Sequence, residues 1–330
     1  MKAGKIGVKK LSDTILNQIT HYKDEVLLEA KVGEDSAVVD FGKDSLVISS
    51  DPITGAAENT GYLAVNVACN DIASTGAKPL GIEVVLLLPP ETDQITTIDL
   101  MKEINKTAKK IEVEVLGGHT EVLDLVSKPI IVVTAIGKVE KGKHIPTSNA
   151  QAGDDIILTK GAGIEGTYIL ANDFEKKLLK KGIDPDLLTS AKKYGNMLSV
   201  IKEGKIAAKH HANALHDVTE GGLYGGLREM AIASNLGFVI DKDKVIINKE
   251  TKAITNLLKL DPLALISSGS MLISAAKGKE IIAEMEAQGI NASIIGQFTS
   301  DKKYILNKNN DQISLAKETQ DELWRFLEEN

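Results

Sequence analysis

Cysteine is almost missing from this chain: Cys69 stands alone among 330 residues. No disulfide can close within the chain, and an oxidising compartment is not implied. Aromatic side chains make up only 4% of the sequence, so the cores must be built from Val, Ile, Leu and Ala. The longest apolar stretches, such as residues 82–90, fall far short of the ~20 residues a bilayer requires, and no membrane association is expected. The start of the sequence, MKAGKIGVKKLSD, lacks the apolar run of a secretory signal. A cytoplasmic location is therefore expected. Basic residues are outnumbered, 39 Lys and Arg against 46 Asp and Glu for a net charge of −7, and no basic stripe offers itself to a phosphate backbone. Nucleic acid is not an expected partner. Neither a G-x-x-x-x-G-K-[ST] loop nor a Ser-centred nucleophile elbow occurs.

What the chain does contain is strand and helix patterning in two halves. Its length favours two domains, since single cores stop growing near ~250–300 residues. Residues 8–30 are predicted to form one amphipathic helix on the spacing of Leu11, Ile15, Ile19, Val26 and Leu27. Strands are expected at 37–39 and 45–49, a helix rich in small residues at 61–75, and a strand buried on both faces at 82–88. A charged helix at 99–111 follows, then a short strand at 113–116, a turn at 117–120 and a strand at 129–136. Residues 141–153 (KGKHIPTSNAQAG) carry no hydrophobic periodicity, which puts the boundary between a 1–146 domain and a 147–330 domain there. The second half reads as a strand at 155–159, a long helical region to about 209, and a helix at 223–234. Strands near 238–240 and 270–274, a helix at 278–288 and a last helix at about 311–329 complete it.

Acidic residues recur where strands end or turns begin. Four such places stand out: Gly33-Glu34-Asp35, Ser49-Ser50-Asp51-Pro52, Asn70-Asp71-Ile72-Ala73 and His216-Asp217-Val218-Thr219. Carboxylates so placed suit Mg²⁺, a hard cation that takes one or two of them together with water and phosphate oxygens. Any one of them alone also reads as a turn residue or helix cap. Asp71 differs, because it falls mid-helix among small apolar residues, where Asp is a poor helix former and needs a partner or a surface position. Gly117-Gly118-His119-Thr120 follows an apolar strand and reads equally as a tight turn or as backbone presented to an anion. No second histidine lies at metal-ligand spacing from His119, so zinc is not expected. At 219–222, Thr219 is placed to cap a helix whose free N–H groups favour a phosphate. Gly161-Ala162-Gly163-Ile164-Glu165-Gly166 matches a dinucleotide fingerprint between a strand and a helix. The acidic strand end that should follow ~20 residues on is replaced by a lysine-rich stretch, so a nicotinamide-dependent oxidoreductase is the weaker alternative.

In order, the segments GEDSAVVDF (33–41), SSDPITG (49–55), NVACNDIASTGAKP (66–79), GGHTEV (117–122), LTKGAGIEGT (158–167), HDVTEGGL (216–223) and LDPLALISSGS (260–270) resemble the AIR synthase-related (PurM-like) superfamily. The last two are most similar to its hydrogenase-maturation branch, HypE. The resemblance implies a mixed α+β / α/β fold of two domains: an N-terminal domain that pairs with its twin in a dimeric β-barrel-like interface, and a C-terminal sheet covered by helices. It implies ATP and Mg²⁺ as cofactors and a homodimer, with Glu34, Asp35, Asp51, Asp71 and Asp217 at the metal. Asp51, Asp71, Gly117, Gly118, His119, Thr120 and Asp217 would hold the nucleotide. The implied chemistry is ATP-dependent activation of an oxygen on a carbonyl, carboxamide or phosphate-like acceptor, with a maturation protein as a further partner. A catalytically quiet ATP-binding scaffold is the second reading. Two departures stand out. Several relatives carry an acidic residue where this chain has His119, and HypE ends in a reactive cysteine where this sequence reads WRFLEEN. Cys69, inside the helical NVACNDIA segment, reads as a small buried residue rather than a substitute thiol.

Overall fold

The computed structural model describes residues 4–309 and 311–329. In chain order, helix α1 (Val8–Thr14) is followed by strands β1 (Val26–Leu28), β2 (Ala37–Phe41) and β3 (Asp44–Ile53). Helix α2 (Thr60–Ala73), strand β4 (Lys78–Leu88), helix α3 (Gln94–Lys110) and strands β5 (Glu114–Val122) and β6 (Ile130–Glu140) complete the first half. These six strands form one sheet in the order β1-β2-β3-β6-β4-β5, antiparallel except for the β4–β5 pair. Alternation decides its faces. Val47, Val84, Leu86, Ile131, Val133 and Ala135 point inward and are buried beneath α2 and α3 with Ala68, Cys69, Ile72 and Ile104. The opposite face, with Leu46, Ile48, Val85, Leu87 and Val132, is only half-buried. β4 is thus covered on one face, not the two its continuous apolar run suggests.

The second half begins with β7 (Asp155–Thr159), and helices α4 (Ile164–Asp173), α5 (Glu175–Lys180), α6 (Pro185–Ala191) and α7 (Ile201–Lys209) take the place of one long helical region. Then come β8 (Ala214–Asp217), α8 (Gly222–Ala233), β9 (Gly237–Asp241), α9 (Lys249–Leu258), β10 (Met271–Ala275) and α10 (Gly278–Ala287). β11 (Ala292–Thr299), β12 (Tyr304–Lys308), β13 (Asp311–Ser314) and α11 (Glu322–Glu328) close the chain. The seven strands follow the order β13-β12-β9-β11-β7-β10-β8, with only β9–β12 parallel. β10 is buried at every position. One side of the sheet packs on α8 through Leu223, Leu227 and Met230; the other packs on α7 and α10 through Ile206, Ile281 and Met285.

Three sequence expectations fail for identifiable reasons. The helix predicted over 8–30 stops at Thr14, because α1 buries none of its residues and has no core to reward a longer amphipathic face. The last helix shrinks to Glu322–Glu328, where Leu323 and Phe326 reach a core, and Asp311–Ser314 joins the sheet instead. The expected turn at 117–120 is the middle of β5, an edge strand pairing only with β4. Gly118 is required there: a Cβ would sit 1.8 Å from the Val84 carbonyl oxygen.

Candidate functional site

α2 runs along the inner face of the first sheet, and its C-terminal half meets the β3 side chains that point the same way. Ser49 and Asp51 both face it, two residues apart on β3. Ser49 Oγ donates to Asp71 Oδ2 at 2.5 Å, and Asp51 stands beside the Asp71 carboxyl, disfavouring its charge. The mid-helix aspartate is buried and partnered, which is what its poor helix propensity required. Its helix is pinned on the opposite side as well. Asn70 donates to the Leu198 carbonyl and accepts from the Val200 N–H, tying α2 to the second half of the chain.

The turn before β2 comes to the same place. Gly33 has φ +82°, and a Cβ there would lie 2.7 Å from the Glu229 carbonyl oxygen, so only glycine lets this turn close on α8. Glu34 turns away from the cluster and accepts from the Thr147 and Ser148 N–H groups at 3.0 Å, each through a different oxygen. Asp35 turns inward: its Oδ2 accepts from Ser74 Oγ at 3.0 Å and meets His216 Nδ1 at 2.9 Å. β8 delivers His216 and Asp217 from the second sheet, both almost fully buried.

Asp35, Asp51, Asp71 and Asp217 thus converge from four distant segments. Burial raises the Asp71 carboxyl well above the usual range, and the charges of Asp51, Asp217 and Asp35 push it further. Asp217 is raised in the same way, first by burial and then by Asp35 and Asp51, with His216 and Lys5 opposing. Asp217 Oδ2 is buried without a hydrogen-bond partner among the described residues. Ligand atoms of Asp35, His216 and Asp217 lie within 4.8 Å of one another. An orphaned carboxylate oxygen amid mutually repelling carboxylates is a place that needs a cation, and a set of hard oxygens fits Mg²⁺. His216 already uses both ring nitrogens, Nδ1 on Asp35 and Nε2 on Glu229 at 3.0 Å. Burial disfavours its charge, yet those two carboxylates hold it as an imidazolium, so it orients Asp35 rather than coordinating. Glu229, from α8, and Lys5, whose Nζ lies 2.6 Å from Glu229 Oε1, extend this chain of contacts.

Sequence reasoning finds the aspartates but misses Glu229 and Lys5. A glutamate inside the apolar stripe of α8 was the available signal for the first; nothing marks the second. Gly117, Gly118, His119 and Thr120 are not brought to the cluster. They are exposed on β5; Asp51 pairs with Val133, Val133 with Val84, and Val84 with Gly118, a separation of roughly 14 Å across three strand spacings. The His119 side chain lies 3.8 Å from Glu121.

The Gly161–Gly166 turn is not a dinucleotide site. β7 is antiparallel to both neighbours, so the parallel strand–helix–strand unit that such a site requires is absent. Ser267 Oγ accepts from the Gly163 and Ile164 N–H groups, and Leu265 fills the space beside Gly166. The N–H groups at the start of α4 are spent on protein. Nor does Thr219 cap α8. Gly221 is the capping residue, and its N–H goes to the Asp321 carboxylate at 2.6 Å.

Two family models match the chain: the AIR synthase related protein N-terminal domain over residues 33–139 and the corresponding C-terminal domain over 151–309. A protein of Methanocaldococcus jannaschii, named provisionally as a hydrogenase expression/formation protein, is 33% identical over 92% of this chain and 90% of its own length. The chain belongs to the AIR synthase-related family. The carbamoyl dehydratase HypE of Rhodobacter capsulatus is similar at 26% identity over 83% of this chain and 79% of that one. A crystal structure of the hydrogenase maturation protein HypE in complex with ATP superposes with a TM-score of 0.71 at 19% identity, covering 98% of this chain and 97% of that one. The AIR synthase-related fold is thereby established for both halves. Among the described residues no helix is long and apolar enough to cross a membrane.

Proposed function

We propose that this chain is a cytoplasmic, Mg²⁺- and ATP-dependent enzyme that activates an oxygen of a carbonyl, carboxamide or phosphate-like acceptor. One observation carries the reading: Asp35, Asp51, Asp71 and Asp217 meet where burial and mutual repulsion disfavour the charges of Asp71 and Asp217, and Asp217 Oδ2 has no hydrogen-bond partner among the described residues. Asp35, Asp51, Asp71 and Asp217 would hold the metal, with Glu34 bracing their turn against residues 147–148. Mg²⁺ supplies charge neutralisation for a triphosphate. The acceptor oxygen attacks the terminal phosphorus, ADP leaves, and the oxygen becomes part of a phosphate leaving group. That chemistry suits a relative named a carbamoyl dehydratase, and the solved HypE that shares this fold holds ATP.

The 1–146 domain would pair with its copy through the half-buried outer face of the first sheet. Leu116 and Val122 on β5 and Leu125 beyond it are exposed apolar residues of the kind an interface covers. Gly117, Gly118, His119 and Thr120 would then meet nucleotide across that dimer. The thiol of Cys69 takes no part, since burial pushes it up to about 12. A maturation protein would be the partner that supplies or receives the activated group.

Calorimetry with Mg²⁺ and ATP, together with an assay for ADP release, tests this. Wild type binds and Asp71→Ala does not. Undiminished binding by the variant, or none by wild type, sinks the reading. Tight binding without ADP release across carboxamide and carboxylate acceptors would replace the enzyme with a scaffold.

A further inference from the structure

The segment Gly4–Gly7, just ahead of α1, lies against the second half of the chain at Glu220, Glu229 and Trp324. Its attachments are polar. Lys5 Nζ meets Glu229 Oε1 at 2.6 Å, the Lys5 N–H donates to Glu220 Oε1 at 2.5 Å, and the Val8 N–H donates to Glu318 Oε1 at 3.3 Å. No residue from Gly4 to Thr20 is fully buried, so the strap sinks no apolar side chain into a core, and its hydrogen bonds and ion pair to glutamates are its strongest attachments. It also roofs a cavity of about 450 Å³ bounded by Glu220, Gly221, Tyr224, Glu229 and Asp321.

Lys5 is linked to the cluster through two intervening side chains: beyond its contact with Glu229, Glu229 Oε2 meets His216 Nε2 at 3.0 Å, and His216 Nδ1 meets Asp35 Oδ2 at 2.9 Å. The charges of Asp35 and Asp217 favour the Lys5 ammonium as well, after that of Glu229. A buried group of carboxylates wants positive charge, and this chain carries some of its own. We propose that Lys5 is a built-in cation of the carboxylate centre, so that docking of the N-terminal strap and binding of a divalent metal oppose each other. This rests on the metal reading above and adds to it a moving part. When the metal arrives, its two charges satisfy Asp35 and Asp217, the field that holds Lys5 weakens, and the strap lifts from the cavity. Linkage is reciprocal: if metal weakens strap docking, removing the strap's charge must strengthen metal binding by the same factor.

The reporter is already in place. Trp324, the only tryptophan, lies against the strap; a Cβ on Gly4 would be 3.0 Å from its ring. Lifting the strap therefore alters its emission. The experiment titrates Mg²⁺, and separately Mn²⁺, into wild type, Lys5→Met and Lys9→Met at fixed low ionic strength, following heat and Trp324 fluorescence. Lys9 is paired with Asp13 on exposed α1 and controls for a general loss of surface charge. Lys5→Met binds metal roughly 3–10-fold more tightly than wild type, an advantage that shrinks as salt is added. Its metal-free emission already matches that of metal-loaded wild type, and Lys9→Met behaves as wild type. Equal metal affinity in wild type and Lys5→Met, or an emission change on loading that Lys5→Met retains in full, overturns this proposal and leaves the metal reading standing. No metal uptake by any of the three overturns both.

Discussion

The acidic cluster and the Gly117–Thr120 stretch of β5 present opposite kinds of candidate site. The cluster is scattered along the chain, across Asp35, Asp51, Asp71 and Asp217, yet the fold gathers it into one buried place with repelling charges and an orphaned oxygen. The β5 stretch is contiguous and conspicuous in sequence, yet it lies open on an edge strand that pairs with β4. The first is assembled within a single chain. The second lies open, and in the proposed dimer the pairing of two copies through this sheet would cover it.

The two regions should therefore respond differently to substitution. Asp217→Ala removes the carboxylate whose second oxygen has no hydrogen-bond partner among the described residues, and Mg²⁺ affinity should fall by more than about 100-fold. That exceeds the roughly 10–100-fold that loss of an outer partner of a metal ligand costs. His119→Ala should leave metal affinity as it is and lower Mg-ATP affinity about 10-fold in the dimer, a loss of about 1.4 kcal/mol. Calorimetry with metal alone and then with nucleotide separates the two. If His119→Ala weakens metal binding as much as Asp217→Ala, or leaves ATP binding unchanged in a proven dimer, the contrast disappears.

Much of the architecture was legible because periodicity reports burial directly. β7 and α2 fall where the apolar pattern puts them, and Asp71 was conspicuous because it breaks that pattern in α2. The start of β5 is legible as the 113–116 strand, but 117–120 reads as a turn because paired glycines depress strand propensity and an exposed edge shows no alternation. The amphipathic spacing over residues 8–30 was real, but periodicity describes a face and not what covers it; α1 meets no core. Within the site, the aspartates were visible one by one, whereas Lys5–Glu229, separated by 224 positions, is a product of tertiary folding with no local signature. The same is true of Asp321, which closes the start of α8 from 100 residues away.

The smallest expected effect contrasts the carboxylate cluster with a buried acid outside it. Glu165, on the first turn of α4, is raised to about 7, chiefly by burial, with hydrogen bonds from Ser268 opposing. Its Oε2 has no hydrogen-bond partner among the described residues. An unfolded glutamate titrates near ~4.3, so between that value and about 7 the folded chain holds a proton that the unfolded chain has lost. The stability Glu165 contributes is therefore fully present below ~4.3 and is lost as pH rises through about 7. Glu165→Gln keeps the side-chain shape and removes the titration. In metal-free protein its thermal midpoint should fall less than that of wild type from pH 5 to pH 8, ending higher at pH 8 by on the order of 1 kcal/mol, or a few degrees. Saturating Mg²⁺ should shift both proteins equally, because Glu165 lies outside the cluster; a metal-dependent difference between them would place this carboxyl among the groups that sense the cation.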